Sequence, residues 1–356
     1  MNFVVTLPAA SDAAIVGGKG ASLGELARAG IPVPPGFVVT VSCFAAAMAA
    51  IDPSGDLRAR ISALDAADLA GIATATASLR GRIVAAPPPD AVITEIVASY
   101  GRLGTGGGAE EIMIDTDVAI RSSATMEDSA AASFAGLQDT YLGVCGAPSV
   151  MDHVRHCWAS LYNDESVAYR RRLAMPEDSL GMAVVVQLMV RPRAAGVMFT
   201  RSPVSGDRSV VAIEGTWGLG SALVCGDVTP DSFVISKITG EISGRRVGAK
   251  GRVHSFLPNG GGVTVEDTPA ALVGEPCLTD DEIRTLAETG RRVEAHYGAP
   301  QDIEWALLDG DARPAERIVL LQSRPETVWA AREPAPVAAP KPRAADHVLS
   351  LFGKPR

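Results

Sequence analysis

Residues Gln301–Glu326 read QDIEWALLDGDARPAERIVLLQSRPE, the pattern of two strands joined by a polar turn. Ile303, Trp305 and Leu307 alternate, and the two-residue period of a strand then puts Asp302 and Glu304 together on the opposite face. Asp309-Gly310-Asp311 and Pro314 supply turn chemistry. The return strand, Arg317 to Arg324, is expected to carry Ile318, Leu320, Gln322 and Arg324 on one side. With the loop centred near Arg313, Glu304 comes opposite Gln322. A carboxylate beside an amide oxygen offers the hard donors that Mg²⁺ takes, and an arginine two residues on can hold phosphates that share the metal. An acidic face on a solvated hairpin fits the same residues, and the stretch alone does not choose.

Upstream of the hairpin, Thr279-Asp-Asp-Glu282 is a capping box that opens a helix through Ile283, Leu286 and Val293. Val210 to Glu214 is strand-like, and GTWGLG over 215–220 turns the chain into a short helix. Met182 to Val190 reads as a buried strand, and Ala194 to Thr200 as a second. Gln187 lies inside that apolar run and must be hydrogen-bonded if buried. It serves the backbone, or it reads a planar ligand such as a purine together with the main chain near Met189.

Val118 to Ser123 is a strand ending on Arg121-Ser122-Ser123, followed by a loop of small residues with Phe134 and Gly136. Small side chains let backbone close over a ligand, and Arg121 at the strand end can reach phosphate; an ordinary hairpin loop with a solvated arginine fits equally. Near the start, Gly17, Gly18 and Gly20 surround Lys19 in a glycine turn before an amphipathic helix with Leu23 and Leu26 on one stripe. Such a turn can present N–H groups and an ammonium to an anion, but it lacks the hydroxyl residue that a P-loop carries directly after its lysine. A purely structural turn also satisfies the pattern.

The whole chain of 356 residues has 32 Lys+Arg against 41 Asp+Glu, a balance that argues against a general nucleic-acid binder while leaving a local basic pocket open. The first residues, MNFVVTLPAA, make a poor signal peptide, and no apolar run is long enough to span a bilayer. Five scattered cysteines without CxxC spacing indicate buried thiols in a reducing cytoplasm.

Taken in order, GGKGASLGELARAGIPVPPGFVVT, AIRSSATMEDSAAASFAG, VVVQLMVRPRAAGVMFTRSP, GTWGLGSALVCGDVTPDSFVIS, DIEWALL and LQSRPET resemble the ATP-binding domain of the phosphoenolpyruvate synthase, pyruvate phosphate dikinase and rifampicin phosphotransferase family. The resemblance runs from about residue 10 to 330. It implies an α/β (α+β) ATP-grasp fold, with an N-terminal lobe over 1–185, a C-terminal lobe over 186–330, a Pro/Ala linker over 331–345 and a tail over 346–356. It implies ATP and Mg²⁺ as ligands. Lys19, Arg121 and Arg324 take the phosphate-holding, catalytic positions, and Glu304 and Gln322 the metal positions. Gly136, Gln187, Met189 and Glu214 join the nucleotide contacts.

Two departures stand out. Ser221 occupies the position after GLG where the family commonly has glutamate, and no histidine sits in the Thr/Ser-rich motif of the family's swivelling domain. Family members cleave ATP to AMP by moving its β-phosphate group onto that histidine. The resemblance therefore implies a histidine-bearing subunit in trans, as in phenylphosphate synthase, with a phenol-like or pyruvate-like small molecule as final acceptor and neither nucleic acid nor membrane as partner. A nucleotide-sensing module without turnover, or a fragment of a longer enzyme, are the other readings.

Overall fold

Two antiparallel sheets divide the apolar runs of the chain between them. The computed structural model describes residues 2–104, 116–125, 139–173, 175, 177, 180–257 and 260–329. The first sheet draws on β1 (Val4–Thr6), β2 (Gly36–Val39), β3 (Val118–Ala124), β4 (Thr140–Val144) and β5 (Met182–Leu188), in the order β1-β2-β5-β3-β4. Around it run α1 (Ala13–Arg28), α2 (Val41–Ile51), α3 (Asp56–Ser62), α4 (Leu69–Ala85), α5 (Asp90–Gly104), α6 (Ala147–Ser160) and α7 (Asp164–Arg172).

The second sheet draws on β6 (Pro192–Phe199), β7 (Val210–Trp217), β8 (Asp231–Ser236), β9 (Ile242–Arg246), β12 (Gln301–Leu308) and β13 (Ile318–Pro325), in the order β13-β12-β6-β7-β8-β9. The hairpin β10 (Arg252–Phe256) and β11 (Val263–Asp267) stands apart as a two-stranded ribbon. The short helices α8 (Ser221–Val224), α9 (Ala270–Val273) and α11 (Pro314–Arg317) and the long α10 (Asp280–Tyr297) complete the fold. All of these lie in one unit, Met1–Glu326; Thr327–Arg356 is a second, of which 327–329 are described.

The central strand β5 explains its own composition. Its run of Ala183 to Val186 is fully buried because both faces of the sheet are covered, so no polar alternation is needed. One face meets Phe44, Tyr100 and Trp158 from the helices and Tyr162 from the turn after α6, and the other meets Leu7, Val16 and Leu23. The lobe boundary expected at 185/186 would cut this strand; the chain changes sheet between Leu188 and Pro192.

The second core lies where Ile283, Leu286 and Val293 of α10 pack on Ile213, Phe233, Trp305 and Leu320. The expected capping box is present: Thr279 Oγ1 accepts from Glu282 N–H, and the Glu282 carboxylate accepts from Thr279 N–H. Leu26 and Ile31, from α1 and the residues after it, enter this core, whereas Leu23 belongs to the first sheet. One helix thus ties the two sheets together.

The glycine turn expected around Lys19 is a break inside α1. Gly17 sits at φ 70° and ψ 171° with helix on both sides. A Cβ there would come within 2.0 Å of the Ser123 carbonyl oxygen. Glycine is therefore demanded twice, by its backbone angle and by contact with β3. The break frees N–H groups in the following turn, and Ser123 Oγ accepts from Gly20 N–H at 3.0 Å, a cap supplied from another element.

Candidate functional site

A bulge decides what the hairpin presents. Glu304 pairs with Gln322 but Trp305 pairs with Leu320, so β13 carries one extra residue, Leu321, while β12 keeps continuous register with β6 from Asp302 to Leu307. An extra residue reverses the alternation beyond it. Ile318 and Leu320 accordingly lie in the core with Trp305 and Leu307, whereas Gln322 and Arg324 stand opposite Glu304 and Asp302 on the other face. The expectation that all four β13 side chains share one side is corrected: strict period two holds only up to Leu321.

Arg121 of β3 reaches across to this face. Its Nη2 donates to Glu304 Oε2 at 2.8 Å and to Gln322 Oε1 at 2.6 Å, and its Nη1 donates to the Leu321 carbonyl at 2.5 Å. Arg121 and Gln322 are both 8% exposed, which shields the charge-assisted bond between them, while the Glu304 side chain is 37% exposed. The Arg121 Nε is also buried, with no hydrogen-bond partner among the described residues. The bulge residue is part of the arrangement, since its carbonyl is turned toward the arginine.

A cavity of about 280 Å³ opens beside this contact. Arg121 and Thr140 contribute from the first sheet, Ala195 and Glu304 from the second, and Gln187 to Val190 line the passage between them. Gln187, 2% exposed, donates from Nε2 to the Pro34 carbonyl at 3.1 Å, so its amide nitrogen serves the backbone. Met189 also lines the cavity; its N–H donates to the Asp117 carbonyl and its Sδ accepts from Gly143 N–H.

The remaining candidates are spread more widely. Lys19 is buried on the second part of α1 and is not among the cavity-lining residues. Arg324 approaches Asp302, Nε to Oδ2 3.5 Å, at the end of β13. Glu214 pairs with Val197, which pairs with Glu304, so both glutamates share one rung and one face of the second sheet. Two strand spacings separate them, about 9.6 Å. Gly136 lies outside the described residues.

The donor set suits a magnesium ion. Glu304 Oε2 and Gln322 Oε1 already converge on one cationic nitrogen, so the two oxygens can both reach a single charge placed between them. No group of three or more His, Cys, Asp or Glu side chains able to hold a metal occurs among the described residues. Magnesium does not require one, because it keeps several waters and takes one or two protein oxygens plus phosphate.

Local patterns did not disclose a second cluster. Ser221 Oγ lies 2.9 Å from His254 Nδ1, and His254 Nε2 lies 3.1 Å from Asp227 Oδ2. The three residues come from α8, the loop after it and β10, and no short motif joins them.

Residues 13–345 match the family model described as pyruvate phosphate dikinase, AMP/ATP-binding domain. The chain is 43% identical over 316 residues to a probable phosphoenolpyruvate synthase of Methanothermobacter thermautotrophicus, covering 89% of this chain and 44% of that protein. It is 43% identical over 321 residues to a rifampicin phosphotransferase of a Streptomyces species, covering 89% and 35%. With a phosphoenolpyruvate synthase of Aeropyrum pernix it shares 40% over 353 residues, covering 92% and 42%. The chain spans less than half the length of each of these relatives. No helix of the described residues is long and apolar enough to cross a membrane.

Proposed function

Since the chain belongs to the pyruvate phosphate dikinase AMP/ATP-binding domain family, whose fold is ATP-grasp-like, we propose that it binds Mg·ATP between its two sheets and acts in a dikinase-type phosphoryl transfer. The observation that carries this reading is the Arg121 guanidinium, held from one sheet against a carboxylate and an amide oxygen of the other. A group that bridges two lobes and is buried with its charge is placed to exchange those oxygens for phosphate when a nucleotide enters.

In this reading Arg121, Lys19 and Arg324 hold phosphate oxygens, and Glu304 and Gln322 hold Mg²⁺. Gly136, Gln187, Met189 and Glu214 complete the nucleotide contacts; Gln187 acts by fixing the strand end near the base, because its Nε2 is committed to Pro34. Bound Mg²⁺ would neutralise charge on the phosphoryl groups. The chain's own contribution is orientation: donors fixed by β3 and the bulged hairpin require little rearrangement as charge shifts toward the leaving AMP.

The acceptor is a histidine on a separate subunit, from which phosphate passes to a phenol-like or pyruvate-like small molecule. By balance, the bond between the α- and β-phosphates breaks and AMP leaves as the pyrophosphoryl group joins the imidazole; water then breaks the β–γ bond, which releases phosphate and leaves the β-phosphoryl on the histidine. No histidine of the described residues lines the cavity. His153 and His156 sit around Tyr141, His296 pairs with Glu25, and His254 is engaged with Ser221 and Asp227.

Isothermal calorimetry with ATP, with and without Mg²⁺, tests the binding step. Incubation with histidine-bearing candidate subunits tests the transfer, and AMP with an acid-labile phosphohistidine is expected. Absence of magnesium-assisted ATP binding by folded protein would overturn the whole reading, and ADP as sole nucleotide product would overturn the dikinase step.

A further inference from the structure

Ser221 opens α8 and lines the cavity beside Val224 and Cys225. Its contacts fix which way its hydroxyl points. Asp227 presents a carboxylate, which only accepts, so it takes the imidazole hydrogen of His254 on Nε2, the tautomer that leaves Nδ1 as an acceptor. The Ser221 O–H must then donate to Nδ1. His254 is 6% exposed, so its imidazole is screened from water behind the cavity wall, while the Asp227 carboxylate beyond it is 40% exposed. What remains to meet a ligand is the lone-pair side of Ser221 Oγ, a neutral acceptor whose polarity two further residues set.

Its place along the cleft narrows the ligand group. A Cβ on Gly220 would come 3.6 Å from Ala195 Cβ, so the start of α8 lies over Ala195. Ala195 pairs with Ala306, two residues along β12 from Glu304. That is about 7 Å of strand rise from the level of Glu304. In a nucleoside triphosphate whose phosphates lie at Arg121 and Glu304, the sugar comes next and the base lies beyond it.

We propose that Ser221 accepts a hydrogen bond from a ribose hydroxyl, with His254 and Asp227 as positioning residues that hold its hydroxyl in the accepting sense, so that the cavity selects ribonucleotides over deoxyribonucleotides. The inference rests on the nucleotide reading above and adds a sugar-recognition site to it.

The test is calorimetric affinity for the magnesium complexes of ATP, 2′-deoxyATP and 3′-deoxyATP, measured on the parent and on Ser221→Ala, Ser221→Thr and His254→Leu. The parent is expected to bind one deoxy analogue about three- to tenfold more weakly than ATP, the loss of one neutral hydrogen bond. Ser221→Ala and His254→Leu should bring that ratio to about one, and Ser221→Thr should retain it. A merely structural role would weaken all three nucleotides together and leave the ratio unchanged, which overturns the proposal. A parent that binds ATP and both analogues alike also overturns it, while the nucleotide reading stands. A folded parent that binds none of the three defeats that underlying reading as well.

Discussion

Arg121 and Glu304 meet across the cleft, Nη2 to Oε2 at 2.8 Å, and the arginine occupies oxygens suited to a divalent cation. Under the proposed reading, guanidinium and metal compete for the same donors when nucleotide is absent. A nucleotide bound as proposed would relieve the competition by offering phosphate to the arginine and freeing Glu304 and Gln322.

Replacing Arg121 should consequently shift two affinities in opposite directions. In Arg121→Met, ATP binding is expected to weaken by about tenfold or more, the usual scale for losing a charged hydrogen-bonding group. Binding of Mn²⁺ without nucleotide, followed by its electron paramagnetic resonance signal, should tighten. Weaker Mn²⁺ binding in the variant would mean that the arginine supports the oxygens rather than competing for them.

Cysteine reactivity offers an independent check on where the cavity lies. Burial pushes the Cys43 thiol up to about 12 and raises the Cys157 and Cys277 thiols further, so all three stay protonated and inert. Cys225 is exposed and lines the cavity. Iodoacetamide at pH 8 should label Cys225 well before those three, and Mg·ATP should slow that labelling, as read by peptide mass spectrometry. Labelling of Cys225 at the same rate with and without nucleotide would place the nucleotide elsewhere.

Acid stability should depend on Glu282. Burial alone would raise its carboxyl, but the Thr279 N–H and the Arg317 and Arg193 guanidinium groups outweigh that and hold it below its ordinary 4.5. A carboxyl lowered in the folded state contributes stability that is complete above the unfolded value and is lost as pH falls through the folded one. In urea melts, Glu282→Gln should cost about 1–3 kcal/mol at pH 7. That deficit should shrink as pH falls below about 4.5, where the parent loses the same contribution. A constant difference from pH 7 to pH 3 would exclude the charge as its source.

Much of this architecture could be read before any coordinates because local signals and tertiary demands agree. The apolar run in β5 matches burial on both faces, the capping box starts α10, and a loop centred near Arg313 sets Glu304 against Gln322. Three features escaped because they belong to pairings and not to periods. Nothing in the order of Ile318 to Arg324 marks Leu321 as extra; only its register against β12 does. The break at Gly17 is dictated by Ser123, 106 residues away, and the Ser221, His254 and Asp227 cluster by three separate elements.

The bulge itself can be tested by deleting Leu321. Because β12 keeps its register with β6 from Asp302 to Leu307, the deletion should leave Leu320 opposite Trp305 and Gln322 opposite Glu304 in an unbroken ladder, with the core face intact. The melting temperature should then change by no more than a few degrees, on the order of 1 kcal/mol. The function should suffer more, because the Leu321 carbonyl that anchors Arg121 disappears and the local twist relaxes. ATP affinity is expected to fall by about tenfold. Had Gln322 and Arg324 shared the face of Ile318 and Leu320, the same deletion would drive an amide and a guanidinium from one side of the sheet to the other and unfold the hairpin. A folded variant with weakened ATP binding, measured by circular dichroism and calorimetry on one sample, therefore separates a bulge that aims the site from a strand of simple alternation.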